Sequence, residues 1–137
     1  MRLRWTEEAQ RPRPRCNIPV FDLRGRHLGT PDLFDPRHGV AGEYEGVVHL
    51  VGAQRARDVR REAAFREAGV ETVTMVADEP PGAFVLRLHQ AYERAGRHAR
   101  GWTVDPPPWW VPTDTVARRR ALTPSERSRL LRYRRAA

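Results

Sequence analysis

Lysine is absent from the 137 residues; all 25 basic side chains are arginine. Cysteine occurs once, at Cys16, so one chain can build neither an internal disulfide framework nor a cysteine zinc site. No apolar run approaches the roughly 18–20 residues that a membrane span needs. The N-terminus lacks an apolar signal-peptide core. No segment repeats. These absences predict a cytoplasmic chain in a reduced setting with no membrane partner. The length suits one domain with a modest core.

What is present is unevenly placed. Residues 116–137 hold eight arginines and one acid, a net +7, whereas residues 1–115 are close to neutral at +1. A basic tail on a neutral body fits a polyanionic partner, in particular nucleic acid. The candidate contacts are Arg118, Arg119, Arg120, Arg127, Arg132 and Arg135. GC-rich coding also yields an all-arginine vocabulary, so composition leaves that alternative open.

Residues 1–9 read as the end of a helix with Leu3 and Trp5 apolar. The prolines of "RPRPR" at 11–15 exclude regular structure there. Runs at 17–22, 28–34 and 40–45, separated by turns at 23–27 and 35–39, predict a three-strand antiparallel meander. A helix over 53–68 follows, with Ala56, Val59 and Ala63 on one face and Gly69 as its stop. The β-branched run 70–76 predicts a fourth strand, parallel to a neighbour because a helix precedes it. A second helix spans 83–97, with Phe84, Val85, Leu88, Ala91, Tyr92 and Ala95 at amphipathic spacing. "WTVDPPPWWVP" at 102–112 reads as an extended arm anchored by Trp102, Trp109 and Trp110. "TPSE" at 123–126 is a capping box that opens a terminal helix, with Leu122, Leu130 and Leu131 available for docking. The expected class is α/β (α+β), with a mixed central sheet flanked by helices.

"GEYEGVVH" at 42–49 carries the chemistry. Residues two apart on a strand share a face, so Glu43 and Glu45 project together. Asp32 lies on the preceding strand, close enough to join them. Three converging carboxylates repel unless a cation sits among them. Mg²⁺ prefers such oxygen ligands, and it can activate a water and stabilise a phosphate's developing charge. An exposed strand face decorated with acids is the plain alternative.

The stretches "TPDLFDPRHGVAGEYEGVVH" and "RDVRREAAFREAGVETVTMV" resemble the endonuclease-like proteins of the PD-(D/E)xK superfamily. The nearest branch is the actinobacterial one related to very-short-patch-repair endonucleases. That branch places an aspartate before a strand bearing E-x-D-G or E-x-E-G. A histidine, a D-x-x-R-E helix and a glycine-led strand follow. On this resemblance Asp32 takes the aspartate position and Glu43 the acidic position. Glu45 stands where the superfamily has lysine, His49 is the branch histidine, and Asp58 and Arg61 are the helix pair. The likeness covers about residues 16–112, including the Pro/Trp arm.

The resemblance implies a restriction-endonuclease-like fold and a Mg²⁺-dependent endonuclease, with Mn²⁺ as an alternative cofactor and DNA as substrate. Asp32, Glu43 and Glu45 would hold the metal. His49 would carry the proton, since its ordinary pKa near 6.5 suits that task. Gly46 would permit the turn that brings it back. Arg61 would steady a phosphate or the carboxylates, or Asp58 and Arg61 would form a simple helix-surface pair. His27, His38, His89 and His98 read as surface residues. The family's first helix is longer and carries a further acid, whereas this chain begins inside that helix. An upstream segment or a partner is therefore expected to supply it. The expected division is a shortened endonuclease-like domain over 1–100, the arm over 101–115 and an arginine-rich helix over 116–137. Two further readings stand beside nuclease: an inactive DNA-binding or toxin–antitoxin-associated module of the same fold, and a protein–protein module built on the Trp/Pro arm.

Overall fold

A computed structural model describes residues 1–45, 52–80 and 82–135, and the side chains of 52–57 and 132–135 lie outside that description. The chain is mixed α/β and divides into two compact units, Met1–Pro106 and the residues from Pro107 on. In the first unit a short π-helical segment, Arg4–Glu8, precedes strands β1 (Arg15–Cys16), β2 (Val20–Asp22), β3 (His27–Gly29), β4 (Leu33–Asp35) and β5 (Val40–Glu45). Helix α1 (Gly52–Glu67), strand β6 (Glu71–Val76), helix α2 (Ala83–Ala95) and strand β7 (Trp102–Thr103) complete it.

The strands form two sheets, ordered β1-β4-β5-β6 and β3-β2-β7. The expected single meander is therefore corrected. The run 28–34 is two strands, β3 and β4, which pair with β2 and β5 respectively. Pro31 sits in the break, where its missing N–H cannot serve a ladder. The second corrected feature is the start of the Trp/Pro arm. Trp102–Thr103 pairs with Phe21 and Asp22, and Trp102 is buried edge-on against Phe34. The expected crossover holds: β5, α1 and β6 follow in sequence, and β5 pairs parallel with β6 from Val40↔Glu71 to Glu45↔Val76.

Strand alternation splits the core. Leu33, Val40 and Val73 join Trp5, Phe84, Leu88, Ala91, Tyr92 and Ala95 on one side of the four-stranded sheet. Phe34 and Ala41 join Val20, Leu28, Phe65, Ala68, Val70 and Trp102 on the other. The α2 face follows its sequence spacing. The α1 face does not: Val59 and Ala63 are exposed, and Ala64, Phe65 and Ala68 turn inward instead. One aromatic ring outweighs three small residues in deciding which stripe is buried. Ala56 lies outside the described side chains. Gly69 ends α1 at φ +78°, as a helix-stop glycine should. Gly42 lets Trp5 approach β5, because an added Cβ would meet the indole at 2.8 Å.

Asp35 is the buried acid of this core. Its carboxylate accepts from the Tyr92 hydroxyl at 2.7 Å, the His38 ring at 2.7 Å and the Arg37 amide at 2.8 Å. Burial pushes its pKa up, but those three hydrogen bonds outweigh burial and hold it below the ordinary value. Burial and the Asp35 carboxylate together push the Tyr92 phenol up. Arg11 lies 4.5 Å over the Tyr92 ring and donates to His89 Nδ1. His38, His89 and His98, read as plain surface residues, therefore each hold a specific partner, His98 with Glu71. His27 is half-buried against Phe21, and burial lowers its pKa despite the Gly29 backbone.

At the outer edge of the four-stranded sheet, Arg87 from α2 donates to the Thr74 carbonyl at 2.8 Å and pairs with the nearly buried Glu79.

The second unit holds α3 (Val116–Arg120) and α4 (Pro124–Arg135). The expected capping box is formed: Glu126 accepts from the Thr123 amide at 2.7 Å, and the Glu126 amide donates to the Thr123 hydroxyl at 3.3 Å. Leu131 is exposed rather than docked, while Leu122 and Leu130 are partly covered. Trp109 and Trp110 meet edge to face, with Trp109 mostly exposed.

Asp35 generates a stability prediction. Asp35→Asn leaves part of this buried donor set unmatched and costs about 1–3 kcal/mol at pH 7 in urea denaturation. The folded pKa is depressed, so the carboxylate's contribution is present above the unfolded value near 4 and is lost as pH falls through the folded value. The gap between wild type and variant therefore narrows at low pH.

Candidate acidic site

Asp32 immediately precedes β4, and Glu43 lies on β5. The β4–β5 register, Leu33↔Gly42, carries one step further to set Asp32 opposite Glu43. The Asp32 carboxylate accepts from the Tyr44 amide at 2.9 Å, which pins it beside β5. Ala41 faces the α1 side of the sheet, so Glu43 faces that side too. There Arg61 of α1 reaches it, with Nη2 3.5 Å from Glu43 Oε1 and 3.4 Å from Asp58 Oδ1.

The Glu43 side chain is only 17 % exposed. Its Oε1 is buried and accepts no hydrogen bond among the described residues. Burial pushes the Glu43 pKa up. Arg61 pulls it back, the Asp32 carboxylate pushes it up again, and the Asp32 amide and Asp58 act more weakly in opposite senses. The net direction is upward, so the fold holds this carboxyl at an electrostatic cost.

Of the sequence-predicted set, the structure brings together Asp32, Glu43, Asp58 and Arg61. Glu45 is exposed and lines an open groove beside β6 with Thr72, Thr74, Arg87, Gln90 and Arg94. Among the described residues, no three acidic, histidine or cysteine side chains are grouped to hold a metal ion. His49 and Gly46 lie outside the described residues.

In the tail, Arg118 is engaged by Asp114 at 2.9 and 3.0 Å, Arg119 by the Thr113 carbonyl at 2.7 Å and Arg127 by the Arg120 carbonyl at 3.2 Å. Arg120 is exposed, and the side chains of Arg132 and Arg135 lie outside the described residues.

Sequence reasoning missed Gly29, which packs against Arg61. An added Cβ there would lie 3.0 Å from Arg61 Cδ and 2.9 Å from Phe65 Cζ. No signal in the sequence marks it, because β3 and α1 are distant along the chain.

No family model, curated protein or solved structure matches this chain.

The strain at Glu43 is measurable. Its folded pKa is raised, so the fold binds this proton more tightly than the unfolded chain does. Stability from this group therefore falls as pH rises past the unfolded value near 4.3. Glu43→Gln is expected to stabilise the protein by about 1 kcal/mol at pH 7, the scale of single stabilising substitutions. The gain vanishes below pH 4, which thermal unfolding at the two pH values checks.

Proposed function

We propose that the chain is a Mg²⁺-dependent endonuclease of the PD-(D/E)xK type, with a restriction-endonuclease-like fold, acting on DNA phosphodiesters. The observation that supports this most is the juxtaposition of Asp32 and Glu43 across the β4–β5 ladder, with the buried Oε1 of Glu43 accepting no hydrogen bond among the described residues. Two carboxylates with an unsatisfied oxygen fit a small hard cation, which commonly takes one or two carboxylates and keeps several waters. Asp32 and Glu43 would hold the ion, and Mn²⁺ meets the same donor set. The bound metal supplies a water of lowered pKa and neutralises charge at the phosphate. The chain's own part is to aim two carboxylates at one point and to hold Glu43 against its preference for a proton. Glu45 and His49 are the further candidates for orienting the water and carrying its proton. The +7 charge of residues 116–137 supports a polyanionic substrate.

A non-catalytic DNA-binding module of the same fold is the second reading. It is favoured by the position of Glu45 in the groove beside β6, which leaves two converging carboxylates rather than three.

Plasmid cleavage separates the two. Wild type is expected to nick supercoiled DNA with Mg²⁺ and to stop when EDTA removes the ion. Asp32→Ala is expected to lose at least about 100-fold in rate, the scale on which transition-state charge stabilisation acts. Equal cleavage by wild type and Asp32→Ala would remove Asp32 from the site. Binding without cleavage would favour the second reading.

A further inference from the structure

Asp32, Glu43 and Asp58 set three acids around one end of the sheet, and a phosphodiester approaching them is repelled. Arg61 is the basic side chain within ion-pair distance of Glu43 among the described residues. It is only loosely engaged there. Its separations of 3.5 and 3.4 Å exceed the roughly 2.7–2.9 Å of a charge-assisted hydrogen bond. Both contacts use one nitrogen, Nη2, whereas a guanidinium carries five donors in a planar fork. The side chain is also 36 % exposed, so the fork remains within reach of a ligand.

Its stem packs against Gly29. An added Cβ on Gly29 would lie 3.0 Å from Arg61 Cδ, 3.2 Å from Cγ and 2.9 Å from Phe65 Cζ. Phe65 is fully buried and cannot yield, so any larger side chain displaces the flexible arginine stem. Gly29 belongs to the three-stranded sheet and Glu43 to the four-stranded one. One sheet thus seats a cation beside the acids of the other.

We propose that Arg61, seated by Gly29, takes a phosphate oxygen of the DNA backbone beside Glu43, with Gly29 as its positioning residue. The planar fork suits a phosphate, and the charge offsets the repulsion from the three carboxylates. This rests on the DNA-directed reading above for its ligand, though not on cleavage.

The test is duplex DNA binding without divalent ions, measured by fluorescence anisotropy across a salt series. Arg61→Gln is expected to weaken binding several-fold. It also lowers the slope of log K against log salt by about 0.9, the value for one lost phosphate contact. Arg61→Lys keeps the slope, because a point charge still meets a phosphate. Gly29→Ala weakens binding in the wild-type background and adds nothing in the Arg61→Gln background, since it acts through that side chain. An unchanged slope in Arg61→Gln overturns the contact. Additive losses in the double variant overturn the role of Gly29. Arg61 is partly exposed, so its two variants decide the contact even if Gly29→Ala does not fold. Wild-type binding with an altered Arg61→Gln slope but no Mg²⁺-dependent cleavage would sink the nuclease reading and leave this one standing. Cleavage with an unchanged slope would do the reverse.

Discussion

The β4–β5 ladder is the constraint on which the rest depends. Leu33↔Gly42, Phe34↔Ala41 and Asp35↔Val40 fix which side chains face which core. A slip of one residue would exchange the two faces. If β5 slipped, Val40 would leave the α2 core, Ala41 would leave the α1 core, and Glu43 would turn away from Arg61. The same register holds Asp32 opposite Glu43 at one end of β4 and lets Asp35 reach Tyr92 at the other. Packing and acidic site are thus two results of one hydrogen-bond pattern.

Two acids of the β4–β5 ladder, Asp35 and Glu43, are treated in opposite ways. Asp35 gathers three donors at 2.7–2.8 Å, and its pKa falls despite burial. Glu43 has a buried oxygen that accepts no hydrogen bond among the described residues, and its pKa rises despite an arginine 3.5 Å away. The first arrangement locks a turn. The second holds a mostly buried carboxyl beside one loosely placed guanidinium.

Much of this was legible in the residues. The period of two along GEYE put Glu43 and Glu45 on one face with Asp32 within reach, of which the structure shows Asp32 beside Glu43, and the helix before the β-branched run 70–76 correctly implied a parallel pair. Amphipathic spacing identified the buried face of α2. The rest depends on relations that a linear reading does not carry. Pro31 divides an apolar run between two sheets, and the division appears only once the partners of β3 and β4 are known. The inner face of α1 is chosen by Phe65, whose slot is shaped by a glycine more than thirty residues earlier. Glu45 shares the parity of Glu43 yet lines the groove beside β6, because parity fixes the face and not the neighbours. Trp102 belongs to a strand because Phe21 and Asp22 offer it a ladder.

The Arg87 contact has a consequence beyond its own geometry. The Glu71 amide bonds the Gly39 carbonyl and the Ala77 amide bonds the Glu45 carbonyl, so odd-numbered residues of β6 face β5. The polar backbone groups of Thr72, Thr74 and Val76 then point outward, a template onto which another strand can add. By occupying the Thr74 carbonyl, at the midpoint of that row, the Arg87 guanidinium interrupts the template with a charge. An arginine anchored by Glu79 thereby does the work of a gatekeeper, keeping the open edge of the sheet from becoming a seed for chain-to-chain stacking.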